Sequence, residues 1–215
     1  MGGPDTSTLH LLLSNLQPGE YSLATEPITD TPPHSSDPAV ALLLRAQIPN
    51  APTPLKPGPE RVRERQAGDR CMEKLWTHLR VKANDDPTRL KISMTHAANW
   101  VLAVAKVCAP GDGILGIGVD LESRHRKIRP GLDRKILDPL ESRLQLNTLE
   151  FWVIKEACFK ADPDNSGRMI WDYHVQTFER SKSQGSALMP EKGREFDYCL
   201  HSDEHWITAF AFCKR

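Results

Sequence analysis

Two stretches of this chain follow one plan, and that restricts its possible folds more than any other feature. Lys91 to Cys108 reads KISMTHAANWVLAVAKVC, and Asp197 to Cys213 reads DYCLHSDEHWITAFAFC. Each is a short strand pattern, a polar turn containing histidine, and a tryptophan that opens a second strand. Setting Trp100 on Trp206 superposes Val101 on Ile207, Ala103 on Ala209 and Ala105 on Ala211. The repeat predicts an α+β molecule of two similar α/β half-domains with antiparallel sheets, related by a pseudo-twofold. The halves are residues 1–110 and 111–215, joined around the breaker cluster Ala109-Pro110-Gly111-Asp112-Gly113. A chance likeness of two hairpins is the plain alternative. In a two-halved molecule the site lies between the halves, where clefts take ligands.

The rest of the first half is less regular. Nine of the 17 prolines fall between Pro27 and Pro59. Proline removes a backbone donor and restricts its predecessor, so an irregular wrap over the surface is expected over 27–59. Within it only Ala39 to Gln47 offers a short helix. From Glu60 to Leu79 the texture turns charged, with Cys71, Leu75, Trp76 and Leu79 at helical spacing, which predicts a helix with one buried stripe. Lys182 to Gly193 reads as a polar loop.

Lysine and arginine total 28 against 28 aspartate and glutamate. That balance argues against a nucleic-acid binder, which carries a basic excess. Apolar runs fall short of the ~20 residues a membrane span needs, and Leu11-Leu12-Leu13 is too short for a signal-peptide core. The five cysteines, Cys71, Cys108, Cys158, Cys199 and Cys213, form no CxxC pair and read as thiols of a reducing compartment. A soluble cytoplasmic protein is the expectation.

Three segments can carry chemistry. Gly113 to Glu122, GILGIGVDLE, is a nearly continuous apolar run bounded by glycines, hence a buried strand. Asp120 and Glu122 stand at i and i+2 and so share a face. Two neighbouring carboxylates at the end of a buried strand repel, and a hard divalent cation such as Mg²⁺ relieves both repulsion and poor solvation. The plain alternative is that they face water beside Arg124 and Arg126. In Leu149 to Ala161, LEFWVIKEACFKA, the residues Phe151, Ile154 and Cys158 form a core stripe. Trp152, Glu156 and Lys160 occupy an adjacent face, with Lys155 alongside. Alone, this is an ordinary amphipathic helix with a surface Glu156–Lys160 pair. The third segment is Thr95-His96, read as the first hairpin turn, where a hydroxyl and an imidazole can hold a phosphate oxygen or simply face water.

Taken together, Met94-Thr95-His96, Ile117-Gly118-Val119-Asp120-Leu121-Glu122 and Trp152-Val153-Ile154-Lys155-Glu156-Ala157-Cys158-Phe159-Lys160 resemble the signatures of the 4′-phosphopantetheinyl transferase family: a Ser-His turn, (I/V)G(I/V)DxE and (F/W)xxKE(A/S)xxK. The length is similar to that of the larger, pseudodimeric class of surfactin-type and enterobactin-type enzymes. The resemblance covers residues 88–162, and more loosely 60–79 and the C-terminal hairpin.

The resemblance implies an enzyme that transfers the phosphopantetheine arm of coenzyme A to a serine of an apo acyl or peptidyl carrier protein, releasing adenosine 3′,5′-bisphosphate. It implies Mg²⁺ held by Asp120, Glu122 and Glu156, with Glu156 and Lys155 catalytic and Glu156 the base for the carrier serine. Thr95, His96, Lys155 and Lys160 would contact the phosphates of coenzyme A. One chain containing both halves would work as a monomer. The sequence departs from the family in places. Thr95 replaces the serine. The usual Gly-Arg pair of the first-half helix is Gly68-Asp69-Arg70, which leaves Arg63, Arg65 and Arg70 as candidates for the cofactor phosphates. Asn84-Asp85-Asp86-Pro87 stands where a Gly-Lys/Glu-Pro element is usual, with Lys82 or Arg89 as substitutes. An inactive carrier-binding homologue and a Mg²⁺-dependent nucleotide-binding protein are the competing readings.

Other signals carry less. Asp162 to Tyr173 begins like a calcium loop but has Tyr173 where the bidentate glutamate belongs, so a helix-ending turn followed by a strand over Arg168 to Thr177 is expected. His201 and His205 lie on a hairpin turn, not on a helix that would make HxxxH a zinc site. Met1-Gly2 with Thr6 matches a common acylation pattern and reads as a loose terminus.

Overall fold

The computed structural model describes residues 4–9, 11, 21–27, 59–86, 89–109 and 111–214. Apart from Pro27 and Pro59, the proline-rich wrap and the short helix expected over Ala39 to Gln47 lie outside the described residues, as does Met1-Gly2.

The chain is mixed α+β with two antiparallel sheets. The first sheet has the order β1-β3-β2, from β1 (Tyr21–Pro27), β2 (Leu90–Ala97) and β3 (Trp100–Val107). The second has the order β4-β8-β7-β6-β5, from β4 (Ile114–Ser123), β5 (His174–Glu179), β6 (Gln184–Met189), β7 (Arg194–Ser202) and β8 (Trp206–Lys214). Two long helices, α1 (Pro59–Leu79) and α2 (Thr148–Ala161), complete the frame. Both tryptophan-opened hairpins are present, β2–β3 and β7–β8.

Side-chain alternation along the strands builds four layers. On β3, Val101, Ala103 and Ala105 pack against Cys71, Met72, Leu75 and Leu79 of α1. The intervening Leu102 and Val104 turn the other way, to Ile117, Val119 and Leu121 of β4 and Phe210 and Phe212 of β8. On β8, Ile207, Ala209, Ala211 and Cys213 join Phe151, Ile154 and Cys158 of α2. The order is therefore helix, sheet, sheet, helix. Each large apolar side chain so buried contributes about 1.5–3 kcal/mol. Arg70 fastens α1 to β1, its Nε donating to Glu26 Oε2 at 3.1 Å and a terminal guanidinium nitrogen to Pro27 O at 3.0 Å.

The two sheets adjoin through their edge strands β2 and β4. One bond across this contact joins main chain to side chain: Val119 N donates to Ser93 Oγ at 2.9 Å.

Three local expectations need correction. Thr95 and His96 lie within β2, and the turn is at Ala98-Asn99, with Ala98 at φ 48°. The segment read as a polar loop, Lys182 to Gly193, contains β6, which is ordered by pairing with both β5 and β7. Its weak intrinsic pattern is overridden by tertiary context, and Gly185 leaves room for the ring of Tyr198. The strand expected from Arg168 begins only at His174. Before it lies a short 3-10 turn, Ile170–Asp172, and Tyr173 donates its hydroxyl to the buried Asp162 carboxylate at 3.0 Å.

Candidate functional site

The site forms where β4 crosses α2. The helix begins at a reciprocal cap: Asn147 Oδ1 accepts from Glu150 N at 2.9 Å, and Glu150 Oε2 accepts from Asn147 N at 2.7 Å. From that start, Trp152, Glu156 and Lys160 fall on one partly open face, while Phe151, Val153, Ile154, Ala157 and Cys158 are buried. On β4, the residues facing the helix are Gly116, Gly118 and then Asp120. A Cβ on Gly118 would collide with the carbonyl oxygen of Ala157 and lie 2.7 Å from Ala161 N. A Cβ on Gly116 would collide with the carbonyl oxygen of Ala161. The glycines let helix and strand touch backbone to backbone, and the next residue on that face is Asp120.

Asp120 is 5 % exposed. Its Oδ1 accepts from Lys160 Nζ at 2.7 Å and from Thr95 Oγ1 at 2.9 Å. Lys160 Nζ also donates to Val119 O at 3.2 Å. Asp120 Oδ2 is buried with no hydrogen-bond partner. Such an atom carries the desolvation cost of a polar group without a compensating bond. Glu156 is held nearby. Burial first, and the negative charge of Asp120 second, push its carboxyl above the usual carboxylate range, against the opposing pull of Lys160 and Arg126. Glu122 pairs with Arg126, whose guanidinium lies over the Trp152 ring, 5.2 Å from its centroid.

One residue from each of the three segments thus meets at a single oxygen: Thr95, Asp120 and Lys160. The three acids expected to share an ion stand differently. Asp120 and Glu156 are neighbours and Glu122 is turned to Arg126. As the side chains stand, no group of three or more His, Cys, Asp or Glu among the described residues is gathered to hold a metal.

Lys155 has a different place from the one the resemblance implies. It is 1 % exposed and donates to Glu141 Oε2 at 2.8 Å and to Ile136 O at 2.6 Å. Glu141 in turn accepts from Val175 N at 2.6 Å and Asp138 N at 2.7 Å. This buried hub locks α2 to the segment before it and to β5, and Lys155 has no open side from which to hold a phosphate. Arg70 is likewise buried on Glu26. His96, on the opposite face of β2 from Thr95, is exposed, with its Nε2 3.6 Å from Glu64 Oε1 on α1. Arg63 and Arg65 lie on the same helix, half-buried and exposed respectively.

Sequence reasoning missed Glu141, Arg126 as a neighbour of Trp152, and the burial of Lys155. A signal for the last was present. Phe151, Ile154, Lys155 and Cys158 follow i, i+3, i+4, i+7, which places the lysine on the core arc and requires a buried acid to meet it.

No protein-family model matches the sequence, and no curated protein matches it significantly.

Proposed function

We propose that this chain is a 4′-phosphopantetheinyl transferase of the larger, two-halved class, moving the phosphopantetheine arm of coenzyme A onto a serine hydroxyl of an apo carrier protein. The observation that carries the reading is the convergence of Thr95, Asp120 and Lys160, one from each of three separate motifs, on Asp120 Oδ1. The two-sheet architecture, with a tryptophan-opened hairpin in each sheet, is compatible with the family's fold.

The acids fit a hard divalent cation. Asp120 Oδ2 is buried and unpartnered, and Glu156 is a second carboxylate beside it that burial and like charge destabilise. Asp120 and Glu156 would hold Mg²⁺, with Glu122 completing the set on leaving Arg126. When bound, the ion supplies charge neutralisation at the pyrophosphate oxygens.

The chain's own groups account for the rest. Thr95 fixes Asp120 through its hydroxyl. Lys160, part-exposed above Asp120, offers its one remaining ammonium proton to a phosphate oxygen. Glu156 takes the proton of the carrier serine as the serine oxygen bonds to phosphorus and the phosphorus–oxygen bond to adenosine 3′,5′-bisphosphate breaks. Positioning of the hydroxyl supplies most of the rate, because a carboxylate is a weak base for an alcohol.

The test is intact-mass spectrometry of apo carrier proteins of fatty-acid, polyketide and nonribosomal-peptide type, incubated with the chain, coenzyme A and Mg²⁺. A gain of one phosphopantetheine arm, abolished by Asp120→Ala and by Glu156→Ala, supports the reading. No gain with any carrier refutes it. Carrier binding without a mass gain would favour the non-catalytic homologue.

A further inference from the structure

We propose that Arg126 is a cation with two stations: on Glu122 while the carboxylates stand alone, and on a phosphate oxygen of coenzyme A once Glu122 turns toward a divalent ion. The inference rests on the functional reading above.

Three observations place Arg126 for this role. Its guanidinium pairs with Glu122, whose side chain is only 16 % exposed, while that of Arg126 is 41 % exposed. The open side of the pair is therefore Arg126. It also lies over Trp152, one helical turn before Glu156, so it has an anchor above the acids that does not depend on Glu122. Finally, the turn that carries it is pinned where it leaves β4. Arg126 N donates to Ser123 O at 2.9 Å, Arg124 N to His205 O at 2.9 Å, and the Arg124 guanidinium to Asp203 O at 2.7 Å.

A guanidinium has five donors, and one carboxylate engages at most two of them. Its planar fork matches phosphate as well as carboxylate. The same positive charge opposes entry of a metal ion, so Arg126 competes with the ion for Glu122 before it assists the anion. Lys160 on Asp120 stands in the same relation, and the site thus carries internal counter-ions for two of its three acids.

The experiment uses the full chain as wild type, Arg126→Ala, Arg126→Lys, Glu122→Gln and the Glu122→Gln/Arg126→Ala double variant. Mn²⁺ affinity is read by electron paramagnetic resonance, and coenzyme A affinity by calorimetry with and without Mn²⁺. Loss of a half-exposed ion pair should tighten Mn²⁺ binding to Arg126→Ala about three-fold. With Mn²⁺ present, its coenzyme A affinity should fall about ten-fold, the scale of a charged hydrogen bond, with little change when the metal is absent. Arg126→Lys should keep wild-type Mn²⁺ affinity and lose part of the coenzyme A affinity. Glu122→Gln, which frees the guanidinium, should bind coenzyme A several-fold more tightly than wild type without metal, and the double variant should lose that gain. Wild-type affinities in Arg126→Ala, or no metal-free gain in Glu122→Gln, would overturn this inference alone. Failure of wild type to bind coenzyme A under any condition would overturn it together with the functional reading.

Discussion

Gly118 and Ala157 meet backbone to backbone: the Ala157 carbonyl oxygen on α2 occupies the space that any Cβ at residue 118 of β4 would need. The obstacles nearest that Cβ, Ala157 O, Ala161 N and Ala157 C, are all main-chain atoms, so no rotamer change can make room. Gly118→Ala should therefore cost about 3 kcal/mol, at the upper end for overpacking, by separating strand and helix. Urea denaturation checks this. A loss below ~0.5 kcal/mol, the range of ordinary surface changes, would show that the helix can slide away freely.

The Glu141–Lys155 pair makes a second prediction. Either single change, Glu141→Gln or Lys155→Met, leaves one uncompensated buried charge and should destabilise by about 3–5 kcal/mol. The double variant removes both charges and should be more stable than the sum of the single losses by more than ~1 kcal/mol. Additive losses in the thermodynamic cycle would contradict the pairing.

Glu156 links pH to stability. Its folded proton affinity is raised, so the ionised form opposes folding, and protonation restores stability as pH falls through the folded pKa. Glu156→Gln removes the charge permanently. In metal-free buffer the variant should melt above wild type at pH 7–8, and the gap should close as the pH is lowered, because wild type then gains stability and the variant does not. Mn²⁺ should stabilise wild type more than the variant. Calorimetry across pH, with and without the ion, decides it, and a gap that widens toward acid would refute the sign.

Thr95→Val should destabilise by about 1 kcal/mol, the worth of one buried hydrogen bond, and, under the proposed function, slow arm transfer by releasing Asp120. Thr95→Ser should restore both properties. If Thr95→Val and Thr95→Ser are indistinguishable in melting and in transfer rate, the hydroxyl is not what orients Asp120.

Much of this arrangement was legible from periodicity. The helical spacing of Cys71, Leu75 and Leu79 marks the face of α1 that is buried, and Phe151, Ile154 and Cys158 mark that of α2. Trp76, read as part of the first stripe, is only half-buried. The period of two in GILGIGVDLE puts Asp120 on the glycine face, and that face meets α2. Legibility ended where contacts are tertiary. Nothing near Arg126 distinguishes it from Arg124, Lys127 or Arg129 as the cation that reaches Trp152. Thr95 sits one strand position inside a turn-like composition, and its placement depends on Ala98 adopting a positive φ. The lysine on the core arc of α2 could have been read as buried, but its partner Glu141 lies in another element.

The bond from Thr95 to Asp120 runs from the first sheet to the second. An acid on one part of the chain is thereby trained by a hydroxyl on the other, and assembly is checked at the very group on which chemistry would turn. A protein whose amino-terminal sheet has come loose keeps every carboxylate and still loses its aim. A nick near Gly111 would be tolerated as long as the joint holds.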